Sequence, residues 1–403
     1  MRRVAVIAIG GILVILAVLA IVNRQLVARG RYQTSLFTGA PQHENFVRQA
    51  DFYPVARMSA SPAPRPFEAG PRLTLPETFP WEGHEVSVSA FLSETDTAAL
   101  LVLQHGRLVF EEYWLTGGRD VLWLTHSVSK SVVSAAVGLA LRDGEIASVD
   151  DAISEYVPAL AGSGYDSVRI EDVLQMSSGV RWNEDYADPD SDINQFGWTM
   201  FLGRSYDAFV AERVRENPPG ERHRYTGMDS MALGMLVAAA TDRPLARYLE
   251  TELWHPLGAE DGAFWTTDDA GVPLALGGFN ATARDLAKLG ELYRREGDWH
   301  GARILPGEWS RASTTATAPH LVRGKREQSA YEMGYGYQWW LPEGDPTDYS
   351  AIGIYNQFVY VSPATRTVIV KLSANRRYAV DGNFQEKETF ALFRRIAADA
   401  ARL

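Results

Sequence analysis

Strand-forming residues fall into two groups near opposite ends of the chain, and that placement limits the folds open to it. Ala98–Gln104 and Arg107–Tyr113 are β-rich runs joined by His105-Gly106, the signature of a tight hairpin. More than 200 residues later, Gly336–Leu341, Gln357–Val361 and Thr367–Leu372 read as strands, with a turn over 363–366 between the last two. The region from about 150 to 300 is helical and loop-rich instead, with helical patterns over Ile170–Met176, Met228–Thr241, Leu245–Leu253 and Ala283–Glu296. A helix from about Glu386 to Leu403 closes the chain. The expectation is an α/β (α+β) protein whose sheet draws on both chain ends, with a helical insertion. At 403 residues, 46% hydrophobic and 22% charged, the chain is long and apolar enough to bury a sizeable core.

Val4–Val22 is an unbroken apolar or glycine run preceded by Arg2 and Arg3. As a helix its nineteen residues would reach about 28 Å, close to the bilayer core, and the run is longer than the apolar part of a signal peptide. Residues 1–23 are therefore expected to be a transmembrane anchor or signal segment, an uncleaved anchor being favoured over cleavage near Val18-Leu19-Ala20. Arg24, Arg29 and Arg31 after the span oppose a simple positive-inside orientation. The remainder is expected outside the cytoplasm, in a bacterial periplasm or at the cell surface. Residues 24–85 carry Pro54, Pro62, Pro64, Pro66, Pro71, Pro76 and Pro80 and read as an irregular arm. Its aromatics, Phe46, Phe52, Tyr53, Phe67, Phe79 and Trp81, imply that it packs on the body, residues 86–403.

Composition removes several kinds of chemistry. With no cysteine there is no thiol nucleophile, disulfide, thiolate metal site or lipidated Cys. Fifty acidic against 39 basic residues, a net charge of −11, oppose a bulk grip on nucleic acid. There is no Gly-x-Ser-x-Gly elbow, no His-Glu-x-x-His and no glycine-rich phosphate loop. The eight histidines, His126, His223 and His255 among them, are scattered, and Asp188–Asp192 lacks the glycine and final Glu of a calcium loop. No metal or cofactor is expected.

What remains is serine chemistry. Ser127-Val128-Ser129-Lys130 opens a predicted helix over Ser127–Arg142, and a spacing of three puts Ser127 and Lys130 on one face. A lysine whose pKa is lowered by burial can take the serine proton, and a helix N-terminus favours the negative charge that develops. His126 is a poorer base, because neighbours on a helix point about 100° apart. Tyr225, 98 residues on at a loop–helix junction, is a candidate third proton-handling group; beside cations its phenol is expected to ionise more readily than usual. Ser350–Ile354 enters a late strand, where a backbone N–H can serve an oxyanion and Gly353 permits close approach.

Those elements in that order resemble the serine β-lactamase/penicillin-binding-protein superfamily, class C-like branch, and within it the 6-aminohexanoate-dimer hydrolases and related carboxylesterases. The resemblance covers residues 86 to 400. It rests on Ser127–Ser131, Met176–Val180 with Trp182-Asn183-Glu184-Asp185-Tyr186, Gly277–Asp285, and Tyr337-Gln338-Trp339-Trp340. It implies a β-lactamase/transpeptidase-like fold with an antiparallel sheet, and Ser127 as acylated nucleophile with Lys130 as base. It further implies Tyr225 as proton relay and the N–H groups of Ser127 and Ile354 as oxyanion hole. Tyr186 would line the cleft, with Trp182, Asn280, Gly353 and Trp339 also expected to bind substrate. Phe196, Trp198 and Trp340 are further candidates for an apolar wall. Two departures stand out: Gly227 replaces the Asn of Tyr-x-Asn, and Ala351-Ile352-Gly353 replaces Lys-Thr-Gly. Without that lysine, recognition of a penicillin-like carboxylate is weakened, which points to a small, neutral or amphiphilic ester or amide. The competing expectations are a D-alanyl-D-alanine peptidase or β-lactamase-like enzyme, and a non-catalytic envelope protein that binds an acyl or peptide ligand.

Overall fold

The computed structural model describes residues 23–38, 42–378 and 384–403, so the Val4–Val22 run lies outside them. Among the described residues no helix is long and apolar enough to cross a membrane. In chain order the elements that place the site are α1 (Arg24–Thr38), β1 (Val55–Met58), β2 (Thr97–Gln104), β3 (Arg107–Tyr113), β4 (Trp123–Leu124) and α2 (Val128–Arg142). Then come α3 (Asp192–Phe201), α4 (Gly227–Thr241), β5 (Ala263–Thr266), β6 (Phe279–Ala281) and α5 (Ala283–Arg294). The last are β7 (Gly334–Tyr335), β8 (Trp340–Leu341), β9 (Tyr349–Gly353), β10 (Gln357–Ser362), β11 (Thr367–Ser373) and α6 (Glu386–Ala400).

The main sheet is antiparallel, in the order β7-β8-β9-β10-β11-β2-β3. Both chain ends build it, as the strand placement predicts. The two chain ends meet where β11 pairs with β2, Ile369 opposite Val102. Every residue of β2, β10 and β11 is buried, as strands covered on both faces must be. The β2–β3 hairpin turns through His105 and Gly106, both at positive φ as a two-residue hairpin loop requires. One face carries Leu100, Val102, Phe358, Tyr360 and Ile369 against Phe390, Phe393 and Ile396 of α6. The other carries Leu101, Leu103, Val359, Val368 and Val370 in the larger core with α2 and α5. At Gly290 the α5 backbone comes so near that a Cβ would lie 2.7 Å from Val368. Helix α2 is buried from Val128 to Ala140, packed between the sheet and α4. Each aliphatic side chain buried there contributes roughly 1.5–3 kcal/mol.

Two regions differ from the sequence expectation. The arm is less irregular than its prolines imply: α1 precedes the first of them, and Thr78–Trp81 pairs with His84–Ser87 as a hairpin. Strand β1 joins a second sheet, β1-β5-β6-β4, so the middle of the chain is not wholly helical. Phe46 and Phe79 of this segment are fully buried, which fits the packing role of its aromatics. Residues 336–341 do not form one strand. A Cβ at Gly336 would lie 2.1 Å from the Ser313 carbonyl, and Gln338 takes a positive φ. That detour lets the Gln338 carbonyl accept the Ser131 hydroxyl of α2 at 2.7 Å, a contact no local pattern encodes.

Candidate active site

Ser127 stands where β4 hands over to α2. The Thr125 N–H and hydroxyl both reach the Phe279 carbonyl of β6, at 3.0 and 2.9 Å. His126 then reverses the chain at φ +48°, a left-handed conformation that costs a non-glycine residue roughly 1–2 kcal/mol. The turn is braced by Ser129, whose hydroxyl donates to the His126 carbonyl at 2.6 Å and accepts the Phe279 N–H at 3.0 Å. Ser127 is the residue before the first turn of α2. His126 sits outside the helix, its ring on Phe46 and Tyr355 and its pKa pushed down to about 3, chiefly by burial. It is not placed as a base.

Lys130 is 1% exposed, and its Nζ donates to Ser127 Oγ at 3.0 Å and to the Leu276 carbonyl. Burial brings its pKa down to about 8, with the Glu184 charge opposing. Such an amine is neutral often enough near neutral pH to accept a proton. Tyr225 completes the trio: the ammonium lies 5.1 Å from its ring centroid, and the ring stacks on Trp340 at 5.4 Å. The expectation of an easily ionised phenol is corrected. Burial holds Tyr225 well above the usual range, Tyr335 and Glu184 add to this, and a hydrogen bond with Ser127 only opposes it. Tyr225 is therefore a neutral phenol, suited to passing a proton on.

The residue that sequence reasoning passed over is Glu184. Its carboxylate accepts the Trp182 indole N–H at 2.6 Å and the Gly227 N–H, at the start of α4, at 2.9 Å. Tyr186 bonds to it as well: the ring is 44% exposed, yet the hydroxyl turns inward onto Glu184. Burial raises the Glu184 pKa while Lys130 draws it back. The signal was a carboxylate two residues from each of two aromatics in Trp182–Tyr186. The departure at 227 acquires a reason too, since a Cβ there would lie 3.2 Å from the Glu184 oxygen.

The expected substrate-binding residues divide. Trp182 and Tyr186 belong to the cluster through Glu184, and Trp340 supports Tyr225. Asn280 is wholly buried, its amide donating to the Gly278 carbonyl, because it lies in the middle of the second sheet. Trp339 is wholly buried against Tyr293 and Tyr349, and Phe196 against Tyr206 and Phe209. Trp198 lies 64% exposed on the outside of α3. Gly353 serves packing, since a Cβ there would lie 2.4 Å from the Thr125 carbonyl. That contact holds the end of β9, and with it Ile354, beside the segment leading into Ser127.

A serine held by a buried lysine at a helix start, on an antiparallel sheet made by both chain ends, defines a serine hydrolase of β-lactamase/transpeptidase architecture. Comparison with known proteins agrees. Residues 88–390 match the Beta-lactamase family. The chain is 33% identical over 339 residues to the 6-aminohexanoate-dimer hydrolase of Paenarthrobacter ureafaciens, covering 82% of this chain and 84% of that protein. Among solved structures, a Bacillus anthracis chain provisionally named 6-aminohexanoate-dimer hydrolase superposes with a TM-score of 0.76 at 21% identity, over 90% of this chain and 94% of that one. EstCE1, a hydrolase with promiscuous acyltransferase activity, gives 0.60 at 15% identity over 78% and 96%. The chain belongs to the beta-lactamase family and is a hydrolase.

Proposed function

We propose that the protein cleaves an ester or amide bond through an acyl-enzyme on Ser127. The observation that carries this reading is the wholly buried Lys130 amine 3.0 Å from Ser127 Oγ, with a pKa near 8. Ser127 Oγ attacks the acyl carbon and its proton passes to Lys130. The N–H groups of Ser127 and Ile354 take the oxyanion, and Tyr225 carries the proton to the leaving group. Water then attacks the acyl-enzyme and the same groups return the protons. Ala351 in place of lysine favours a small neutral or amphiphilic acyl group over a penicillin-like carboxylate. Likeness to a relative named 6-aminohexanoate-dimer hydrolase supports amides beside esters. Val4–Val22 anchors the chain in a membrane, with the catalytic body outside the cytoplasm, and attachment rests on that run because there is no cysteine to lipidate.

The test is a burst of p-nitrophenol from p-nitrophenyl butyrate together with labelling by a fluorophosphonate, both abolished in Ser127→Ala. Labelling and esterase activity that persist in the variant would remove Ser127. A wild-type protein that binds the ester without a burst would be a binder, and release of D-alanine from a pentapeptide in preference to ester cleavage would make it a cell-wall peptidase.

A further inference from the structure

Helices α1 and α3 pack side by side. Gln33 Nε2 donates to the Gly197 carbonyl at 3.0 Å, Gly30 lies against the Phe201 ring, and Arg29 reaches the carbonyls of Met200 and Phe201 at 3.4 and 3.3 Å. As the numbering falls along α1 it rises along α3, so the helices are antiparallel. The C-terminal end of α3 thus lies beside the N-terminal end of α1. That is where the chain leaves the Val4–Val22 run, since α1 begins at Arg24.

This corner does not look like a surface made for water alone. Trp198 is 64% exposed, Val27 42% and Leu202 38%, and none of the three has a role in the core or the cleft. Arg24, Arg31 and Arg204 are exposed on the same two helices or just beyond them, whereas Arg29 is buried and paired with Asp269. An indole with apolar neighbours and flanking guanidinium groups suits the boundary between lipid headgroups and acyl chains, and anionic phosphates suit the arginines. The end of an apolar run of membrane-spanning length beside the patch selects a bilayer as the occupant over a protein partner.

We propose that the α1–α3 corner, centred on Trp198, Leu202 and Val27, is a membrane-contact face that seats the catalytic body against the bilayer. This rests on the reading of Val4–Val22 as an anchor. The face has a consequence for substrate supply. Helix α3, about 15 Å long, begins where Asn194 bonds the Tyr186 and Asp188 carbonyls. The strap holding Glu184 and Tyr186 is therefore tied to the first turn of the membrane-contact helix, which links the bilayer face to the segment beside Lys130 and favours an amphiphilic ester drawn from the bilayer.

The absence of cysteine makes the test direct. Leu202→Cys and Lys325→Cys each give one attachment point for an environment-sensitive fluorophore, and Lys325 is a highly exposed control. The full chain is reconstituted in vesicles of phosphatidylcholine and phosphatidylglycerol. The label at 202 is expected to shift to the blue and to be quenched by nitroxide-bearing lipid several-fold more than the label at 325. Adding Trp198→Ser and Val27→Ser should lower that quenching about twofold or more while the chain still floats with the vesicles. Flotation with equal quenching at the two sites overturns the face and leaves the anchor standing. Failure to float removes both. Self-quenching between labels at 202 without lipid quenching gives the face to a second copy of the chain and overturns the proposal.

Discussion

The Glu184 carboxylate accepts the Gly227 N–H at 2.9 Å and fills the space beside it, so that a Cβ at 227 would lie 3.2 Å from the same oxygen. The carboxylate of the Trp182–Tyr186 strap thereby sits where a side chain at 227 would begin. It also acts on Lys130, whose pKa it raises against the effect of burial.

An asparagine at 227 should therefore be costly. In Gly227→Asn the new side chain displaces Glu184, and kcat/KM for p-nitrophenyl butyrate should fall about tenfold, ~1.4 kcal/mol, mostly in kcat. Steady-state kinetics of the variant check it; an unchanged kcat would separate Glu184 from the reaction.

Glu184→Gln keeps the acceptor for Trp182 and Gly227 but removes the charge that raises the Lys130 pKa. The acidic limb of the kcat/KM profile should move to lower pH. A profile recorded between pH 5 and 10 checks the direction, and a limb that stays in place would show that Lys130 does not govern it.

In the wild type, Lys130 must be neutral to take the Ser127 proton, so kcat/KM should rise with pH and level off above about 8. Lys130→Met should lower kcat by about a thousandfold. It should also raise Tm at pH 7, for a worked reason. The folded pKa lies below that of the unfolded lysine, so the group's contribution to stability is present at high pH and lost as pH falls through 8. At neutral pH the buried ammonium is a net cost. Thermal melts of both proteins check this.

Asp229 carries the opposite sign. It is fully buried, accepts from Ser178 at 2.7 Å and Tyr165 at 2.9 Å, and burial lifts its pKa to about 8. The folded value exceeds the unfolded one, so its contribution is complete below about pH 4 and is lost as pH rises toward 8. Asp229→Asn should remove up to one proton, about 1.4 kcal/mol per pH unit, from the slope of stability across that window. Urea unfolding at several pH values measures it.

Gly353→Ala drives a methyl group into the Thr125 carbonyl, 2.4 Å away. The strand end must shift, at roughly 1–3 kcal/mol, and kcat should fall with it because Ile354 moves relative to Ser127. Calorimetry and ester kinetics on one preparation test both effects.

Several elements are legible in the sequence. The β-rich runs at 98–104, 107–113, 357–361 and 367–372 and the apolar pattern of Ser127–Arg142 encode their own strands and helix, because each is decided by which side chains must be hidden. The Ser127–Lys130 pairing was equally readable, since three residues of helix bring the two groups together wherever the helix lies. Strand β1 was not, because a four-residue run after Pro54 forms a strand only when β5 supplies its hydrogen bonds. The break at 336–341 was hidden for the same reason, arising from Ser313 and Ser131 far away in sequence.

What the sequence determined by itself is local chemistry: a serine and a lysine one helical turn apart, no thiol to compete with them, and strands at both ends to hold the helix in place. The tertiary structure decided which other groups meet that pair. Burial, a property of the whole fold, brings the Lys130 amine down to about 8 and keeps Tyr225 a neutral phenol. Long-range packing draws Glu184 to Gly227, removes Asn280 and Trp339 into the core, and leaves Trp198 exposed on α3. A one-dimensional pattern records which residue types are present, but desolvation and contact depend on what lies on every side of them.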